Sequence, residues 1–368
     1  MERRKFLKSA ALSGAAVAAA GATASSFPTP ALSQGRMEWK MVTTWPKNFP
    51  GLGTGAERLA QRITAMSDGR LTVKVFGAGE LVPPFESFDA VSQGTAEMMH
   101  GASYYWQGKN KALAFFTAVP FGMVPDEHDA WIAFGGGQEL WDDIYAQFGL
   151  KGFNAGSTGT QAAGWFRKEL TGLEDLKGLK FRTVGLGAEV LRRLGVAVVA
   201  LPGGEIFPAL QSGAIDAGEW VGPWNDLAFG FYRICKYYYL PGPNEPGTAL
   251  ECTVNKAKYD ALPKDLQEII KVATDAEKCL VLAEFNAQNV KALDVLVNQH
   301  GVTAQPLPDE VMLAMGNAAG EVIGELVAAG GDVPKVWDSF SAFRKLSIRN
   351  TNLGQGGFFK ARDLPYKY

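Results

Sequence analysis

Histidine and cysteine are both scarce, with three of each among 368 residues. His100, His128 and His300 sit in unlike contexts, too few and too scattered for a catalytic cluster. Cys235, Cys252 and Cys279 stand far apart, with no CxxC pair and no cysteine–histidine spacing that suits zinc or an iron–sulfur centre. An odd count supplies no disulfide framework, so buried, unpaired thiols are expected. No GxSxG nucleophile elbow occurs. The glycine-rich pieces at 135–137 and 202–205 lack the strand–loop–helix setting and the lysine of a phosphate cradle. These gaps argue against an enzyme and against an organic cofactor. Charge of one sign is missing too: 36 basic and 38 acidic side chains leave a formal net charge of −2. Nucleic acid, whose phosphates demand a basic face, is therefore not an expected partner. Beyond the N-terminus no stretch reads as long and apolar enough to cross a bilayer, which takes about 20 residues.

What is present first is an export signal over residues 1–34. MERRKFLK, the apolar run AALSGAAVAAAGATA and a small-residue stretch ending near ALSQG are its basic, apolar and cleavage parts. Arg3 and Arg4, followed by Phe6, Leu7 and Lys8, point to the twin-arginine pathway. A membrane anchor is disfavoured because Ser9, Ser13, Gly14, Gly21 and Thr23 interrupt the run. Cleavage near Ser33 or Gln34 would leave a periplasmic protein of about 330 residues, enough for two lobes at roughly 100–200 residues each.

The mature chain opens with strand, helix, strand. MEWKMVTTWP alternates and ends at Pro46; GTGAERLAQRITAMSDG carries Ala56, Leu59, Ala60 and Ile63 at helical spacing and stops at Gly69; LTVKVFGAG is a second strand. Such a unit implies a parallel sheet. The order recurs in KGLKFRTVG, GAEVLRRLG and VAVVALPGG. A gapless similarity joins AVSQGTAEMMHG at 90–101 to ALQSGAIDAGEW at 209–220. In each copy a helix ends at glycine, Gly94 or Gly213, as a left-handed cap requires. A short strand then leads into an aromatic loop, with Tyr104, Tyr105 and Trp106 in one copy and Trp220 and Trp224 in the other. Two such lobes describe an α/β fold with a ligand cleft at the strand ends. From Pro263 a run without glycine or further proline places Leu266, Ile269, Ile270, Ala273, Ala276, Leu280, Ala283 and Ala287 at helical spacing. That predicts a helix of roughly thirty residues spanning both lobes. Lobe I is expected over 35–158 plus about 248–288, lobe II over 159–247 plus about 289–345, and a C-terminal tail over 346–368. The final helical region should close the second lobe or pack on another subunit.

Few residues suit charge recognition in a cleft. Arg182 lies inside the apolar strand 179–184, where a charge needs a partner. Its fork can take a carboxylate through two parallel hydrogen bonds; an internal ion pair with a neighbouring acid is the alternative. Glu219 and Trp220 follow the second repeat's strand, where open sheets place ligands. Gln161, just past GSTGT, offers an amide at the crossing between lobes, and Glu245 lies in the turn-rich PGPNEPG. Each of these also has a plain reading as a surface or loop residue.

Arg182 within LKGLKFRTVG, the segment FPALQSGAIDAGEW and the long helix after LPKDLQE resemble the DctP family, the substrate-binding proteins of tripartite ATP-independent periplasmic (TRAP) transporters. The resemblance covers essentially the whole mature chain. TTWPKN, GSTGTQ and GEWVGPWND resemble the branch that takes 2-oxo monocarboxylates, such as pyruvate, and related 2-hydroxy acids with a metal cation. It implies a two-lobed periplasmic-binding-protein-like α/β fold and a substrate site holding Arg182, Gln161, Trp220, Glu219, Tyr104 and Trp106. Arg182 would meet the ligand carboxylate, while Gln161, Glu219, the Trp220 carbonyl and Glu245 would hold the cation. The ion is expected to be sodium, with calcium the alternative. The partners implied are a small carboxylate, the TRAP membrane permease subunits and a second copy joined through a C-terminal helix. An exported oxidoreductase or lyase acting on a small organic acid is the rival, and a sensory binding protein shares every residue with the first reading.

Overall fold

The structure, a computed structural model, describes residues 35–367. The expected signal over 1–34 lies outside the described residues. The strands in chain order are β1 (Met37–Thr43), β2 (Leu71–Phe76), β3 (Met98–Gly101), β4 (Leu150–Ser157), β5 (Gly164–Phe166), β6 (Lys180–Arg182), β7 (Ala197–Val199), β8 (Ala217–Gly218), β9 (Tyr237–Tyr239), β10 (Ala249–Asn255) and β11 (Thr303–Gln305). They form two sheets, ordered β2-β1-β3-β10-β4 and β11-β9-β5-β8-β6-β7.

The internal duplication is visible in the pairing. β3 lies parallel to β1 in one sheet, and β8 lies parallel to β6 in the other. Each copy is entered from a helix, Ser87–Ser92 or Gly203–Ser212, followed by a glycine at φ 79° (Gly94) or 76° (Gly213). That left-handed conformation costs a side-chain-bearing residue a steric penalty, which is why both helices stop at glycine. The sheets are mixed rather than purely parallel, however. β10 runs antiparallel between β3 and β4, and β5 runs antiparallel between β8 and β9. A strand returned from a distant part of the chain leaves no local βαβ pattern, so the parallel expectation holds for the β1–β3, β6–β8, β6–β7 and β9–β11 pairs but not where β10 and β5 enter the sheets.

The long helix runs over Lys264–Asn298 and packs on β4 of the first sheet and on helix Pro223–Phe229 beside the second. Its buried row agrees with the expected one at Leu266, Ile270 and Ala273, then departs from it. Ala276, Leu280 and Ala283 face solvent, while Glu277, Val281 and Phe285 are buried. Glu277 can replace an apolar residue there because Arg58, on helix Leu52–Met66, donates to both of its carboxylate oxygens at 2.6–3.1 Å. Val281 and Phe285 join one buried cluster with Trp45, Tyr104, Trp165 and Trp220, so the long helix supports the seam between the sheets.

Three other expectations are corrected. Asp309–Ala328 is long and apolar enough by composition to cross a membrane. It instead buries Val311, Met315, Ala318, Ala319 and Val322 in the core behind the second sheet. Helix Val333–Leu353 does not close the second lobe: Val333, Val336 and Phe340 enter the core of the first, beside Phe115 and Trp131. Cys235 and Cys252 are buried and free, but Cys279 is exposed, because it sits on the outer face of the long helix.

Candidate functional site

β6 is an interior strand of the second sheet, one in from its β7 edge, hydrogen-bonded to β7 on one side and β8 on the other. Arg182 ends it and is 1% exposed. Its Nε donates to the Leu201 carbonyl at 2.9 Å, and one terminal nitrogen donates to both the carbonyl and Oε1 of Glu219, each at 2.9 Å. Its second terminal nitrogen has no partner. The internal ion pair and the free prong therefore coexist, because a guanidinium has five donors to distribute. Trp220 lies beneath the guanidinium at 5.3 Å. Its indole nitrogen is likewise buried and without a partner.

The opposite wall comes from two loops. The Gln161 amide nitrogen donates to the Glu245 carbonyl at 3.1 Å, and the Gly242 nitrogen returns a bond to the Gln161 carbonyl at 2.7 Å. Gln161 Nε2 is spent on the Thr158 hydroxyl at 3.0 Å, and Glu245 Oε2 accepts from the Thr248 hydroxyl at 2.8 Å. Each side chain is thereby turned so that one oxygen, Oε1, is left buried and unbonded. The two walls feel one another. Burial pushes the Glu245 carboxyl up to about 8, the Glu219 charge adding to the effect. Burial raises Glu219 as well, opposed chiefly by the Arg182 charge. Tyr104 stands against Glu245, its hydroxyl held far above its ordinary range by burial and then by that carboxylate.

Two acceptors and two donors are thus left unsatisfied among residues that contact one another, at a cost of about 1–3 kcal/mol each. Gathered in one cluster, such atoms suit a ligand able to bond them together. Oxygen atoms of an amide and a carboxylate suit a hard cation, and the guanidinium and indole N–H groups suit an anion. Among the described residues no group of three or more His, Cys, Asp or Glu is assembled that could hold a metal alone. A cation here would have to draw on amide, main-chain and ligand oxygens beside Glu219 and Glu245, which these residues fit.

Of the expected substrate residues, Arg182, Gln161, Trp220, Glu219 and Tyr104 come together, with Glu245 among them. Trp106 does not. The 3₁₀ turn Ser103–Trp106 sends Tyr104 toward the seam and turns Trp106 into the first core, where its indole donates to Glu251 at 2.7 Å. Trp45, in the TTWPKN segment, occupies the place a second aromatic was expected to take. It packs edge-on against Trp220 at 6.2 Å and against Tyr105 at 6.2 Å. Its indole nitrogen donates to His100 Nδ1 at 2.8 Å, an acceptor kept neutral because burial pulls that imidazole down to about 4. Asn244, whose side-chain oxygen is also unpartnered, was missed although it lies beside Glu245 in the PGPNEPG run. Asp226 was missed too, although it lies in the GPWND run already singled out.

Two lobes of like topology bringing together a buried arginine and unspent buried oxygens have the form of a solute-binding protein. The family model for the bacterial extracellular solute-binding proteins, family 7 (DctP), matches residues 41–329, and the chain belongs to that family. It is 42% identical over 345 residues to a monocarboxylate 2-oxoacid-binding periplasmic protein of Nostoc sp., covering 94% of each chain. A TRAP periplasmic solute-binding protein of Pseudoalteromonas atlantica, solved with bound sodium and pyruvate, superposes with a TM-score of 0.86 at 38% identity, over 90% of this chain and 100% of that one. A Colwellia psychrerythraea counterpart with bound calcium and pyruvate gives 0.86 at 39% identity, over 89% and 99%.

Proposed function

We propose that this protein binds a small 2-oxo monocarboxylate of the pyruvate class, or the related 2-hydroxy acid, together with a cation in the periplasm, and hands it to a TRAP membrane permease. The observation that carries the reading is the set of four unspent polar atoms: the Arg182 prong and the Trp220 indole for the carboxylate, and Gln161 and Glu245 Oε1 for the cation. Glu219 adds one negative charge already shared with Arg182. The Trp220 carbonyl would complete the protein's contribution. The cation supplies positive charge to the ligand's oxygens where the protein has only one arginine to spend. Tyr104, Trp45 and Trp220 exclude water from a short carbon tail. Glu219 and the ligand carboxylate place two negative charges near Arg182, so a monovalent ion suffices and sodium is the ion this balance favours. Calcium becomes the better match if Glu245 joins the cation's ligands, and relatives hold each ion.

The test is calorimetric titration of pyruvate into chelator-stripped protein in choline buffer at constant ionic strength, then with sodium or calcium restored. Tighter binding with either ion supports the shared site; equal affinity in all three buffers removes it. The protein carries out no reaction in this reading, so pyruvate should be recovered unchanged after prolonged incubation. The C-terminal helices Val333–Leu353 and Gln355–Arg362 leave Leu346, Leu353, Phe358 and Phe359 exposed. These exposed apolar side chains support a dimer formed through the tail, which truncation at 346 should convert to a monomer in sedimentation.

A further inference from the structure

Asp226 is fully buried in the first turn of helix Pro223–Phe229, yet no basic side chain is hydrogen-bonded to it among the described residues. Three neutral donors satisfy it instead. The Val221 amide donates to Oδ1 at 3.2 Å, and the Trp165 indole and the Tyr238 hydroxyl donate to Oδ2 at 2.9 and 2.8 Å. Trp165 lies on β5 and Tyr238 on β9, their rings stacked at 4.1 Å, so Oδ2 is anchored to the rigid middle of the second sheet. Oδ1 holds the segment that directly follows Glu219 and Trp220. On its other side the Val221 carbonyl accepts from the Ala162 amide at 2.9 Å, one residue beyond Gln161. Val221 is therefore the joint between the two walls of the site, and Asp226 is what grips it.

We infer that Asp226 is a positioning residue: by fixing Val221 to the sheet it keeps the Glu219–Trp220 oxygens in register with Gln161, and so sets how strongly cation and carboxylate reinforce each other. It touches neither. This role rests on the proposed function. Only a carboxylate fits it, because the Val221 amide and the Trp165 indole can only donate, one to each oxygen, so both oxygens must accept. In Asp226→Asn the single amide oxygen must choose. Two donors outbid one, so it turns to Trp165 and Tyr238 and sets its NH2 against the Val221 amide. The joint opens while the core stays hydrogen-bonded.

Coupling is read as the ratio of pyruvate affinities with and without sodium, a quantity that a merely structural residue leaves alone. Titrations of wild type, Asp226→Asn and Tyr238→Phe in choline and in sodium buffer supply it. For Asp226→Asn the sodium-dependent gain should fall about tenfold, with sodium-free affinity within about threefold of wild type. Tyr238→Phe removes an Oδ2 donor but spares Val221, and should lower the melting temperature without moving the ratio. An Asp226→Asn ratio equal to wild type overturns the inference alone. So does a folded Tyr238→Phe that loses the coupling, an outcome that stands even if the asparagine variant does not fold. Wild type with no dependence on sodium or calcium overturns the proposed function, and this inference with it.

Discussion

Arg182 gives Glu219 one nitrogen twice, at 2.9 Å to the side chain and 2.9 Å to the main chain, and keeps its other terminal nitrogen free. The ion pair is thus a mount for the arginine rather than its whole purpose. Removing either partner would strand a buried charge. Its net contribution to folding is small beside its effect of aiming one N–H pair at a fixed place.

Arg182→Lys should weaken pyruvate binding by about tenfold or more. A lysine cannot reach the Leu201 carbonyl, Glu219 and a ligand at once, and each charge-assisted bond is worth roughly 1.5–3 kcal/mol. Calorimetry checks the affinity, and circular dichroism establishes that the fold is kept. Unaltered affinity would make the arginine purely structural.

Glu245→Gln should discriminate between cations. The amide still accepts from Thr248, but one negative charge is gone, and a divalent ion loses twice the Coulomb attraction of a monovalent one at the same distance. Calcium-supported pyruvate binding is expected to fall by about tenfold more than sodium-supported binding. Equal losses would place Glu245 outside the cation's reach.

Stability should depend on pH through Glu251, remote from the ligand. Burial raises its carboxyl to about 7, against hydrogen bonds from Tyr145, Trp106 and Thr253 that favour the ionised form. The folded protein therefore holds a proton that the unfolded chain releases near 4.5. Stability contributed by that proton is complete below 4.5 and is lost as pH rises through 7, at up to about 1.4 kcal/mol per pH unit. Urea unfolding at pH 4.5 and 8 should show Glu251→Gln gaining on wild type at the higher pH by about 1–3 kcal/mol. Asp226, pushed up to about 7 by burial, titrates in both proteins and cancels in the difference.

Replacing Arg3 and Arg4 with lysine should leave the precursor in the cytoplasm if export follows the twin-arginine route. Fractionation and immunoblotting read the outcome. Normal appearance of the mature form in the periplasm would assign export to another pathway.

Much of the architecture was legible because local rules write it locally. Alternation marks the first half of β1, up to Met41, a terminal glycine marks the end of each repeat helix, and an arginine inside an apolar strand announces that something must answer its charge. These signals need only a few neighbouring residues. Glu277 broke the helical stripe because its partner, Arg58, lies 219 positions away. Trp106 and Tyr104 were indistinguishable as aromatics of one loop, two positions apart. A 3₁₀ turn and a buried Glu251 at a separation of 145 residues send them to opposite cores.

By itself the sequence determined the residue types of the candidate site, Arg182, Glu219 and Trp220 at strand ends and Gln161 in the loop after GSTGT. Only the tertiary structure decided which of their atoms are spent and which are left. Thr158 and Thr248 consume one end of Gln161 and Glu245, Glu219 and Leu201 consume three of Arg182's bonds, and Asp226 ties the joint between the two walls. The reason is physical. Donor and acceptor capacity belongs to the residue, but its use is settled among groups brought together from distant parts of the chain, where burial makes every unpaired atom costly.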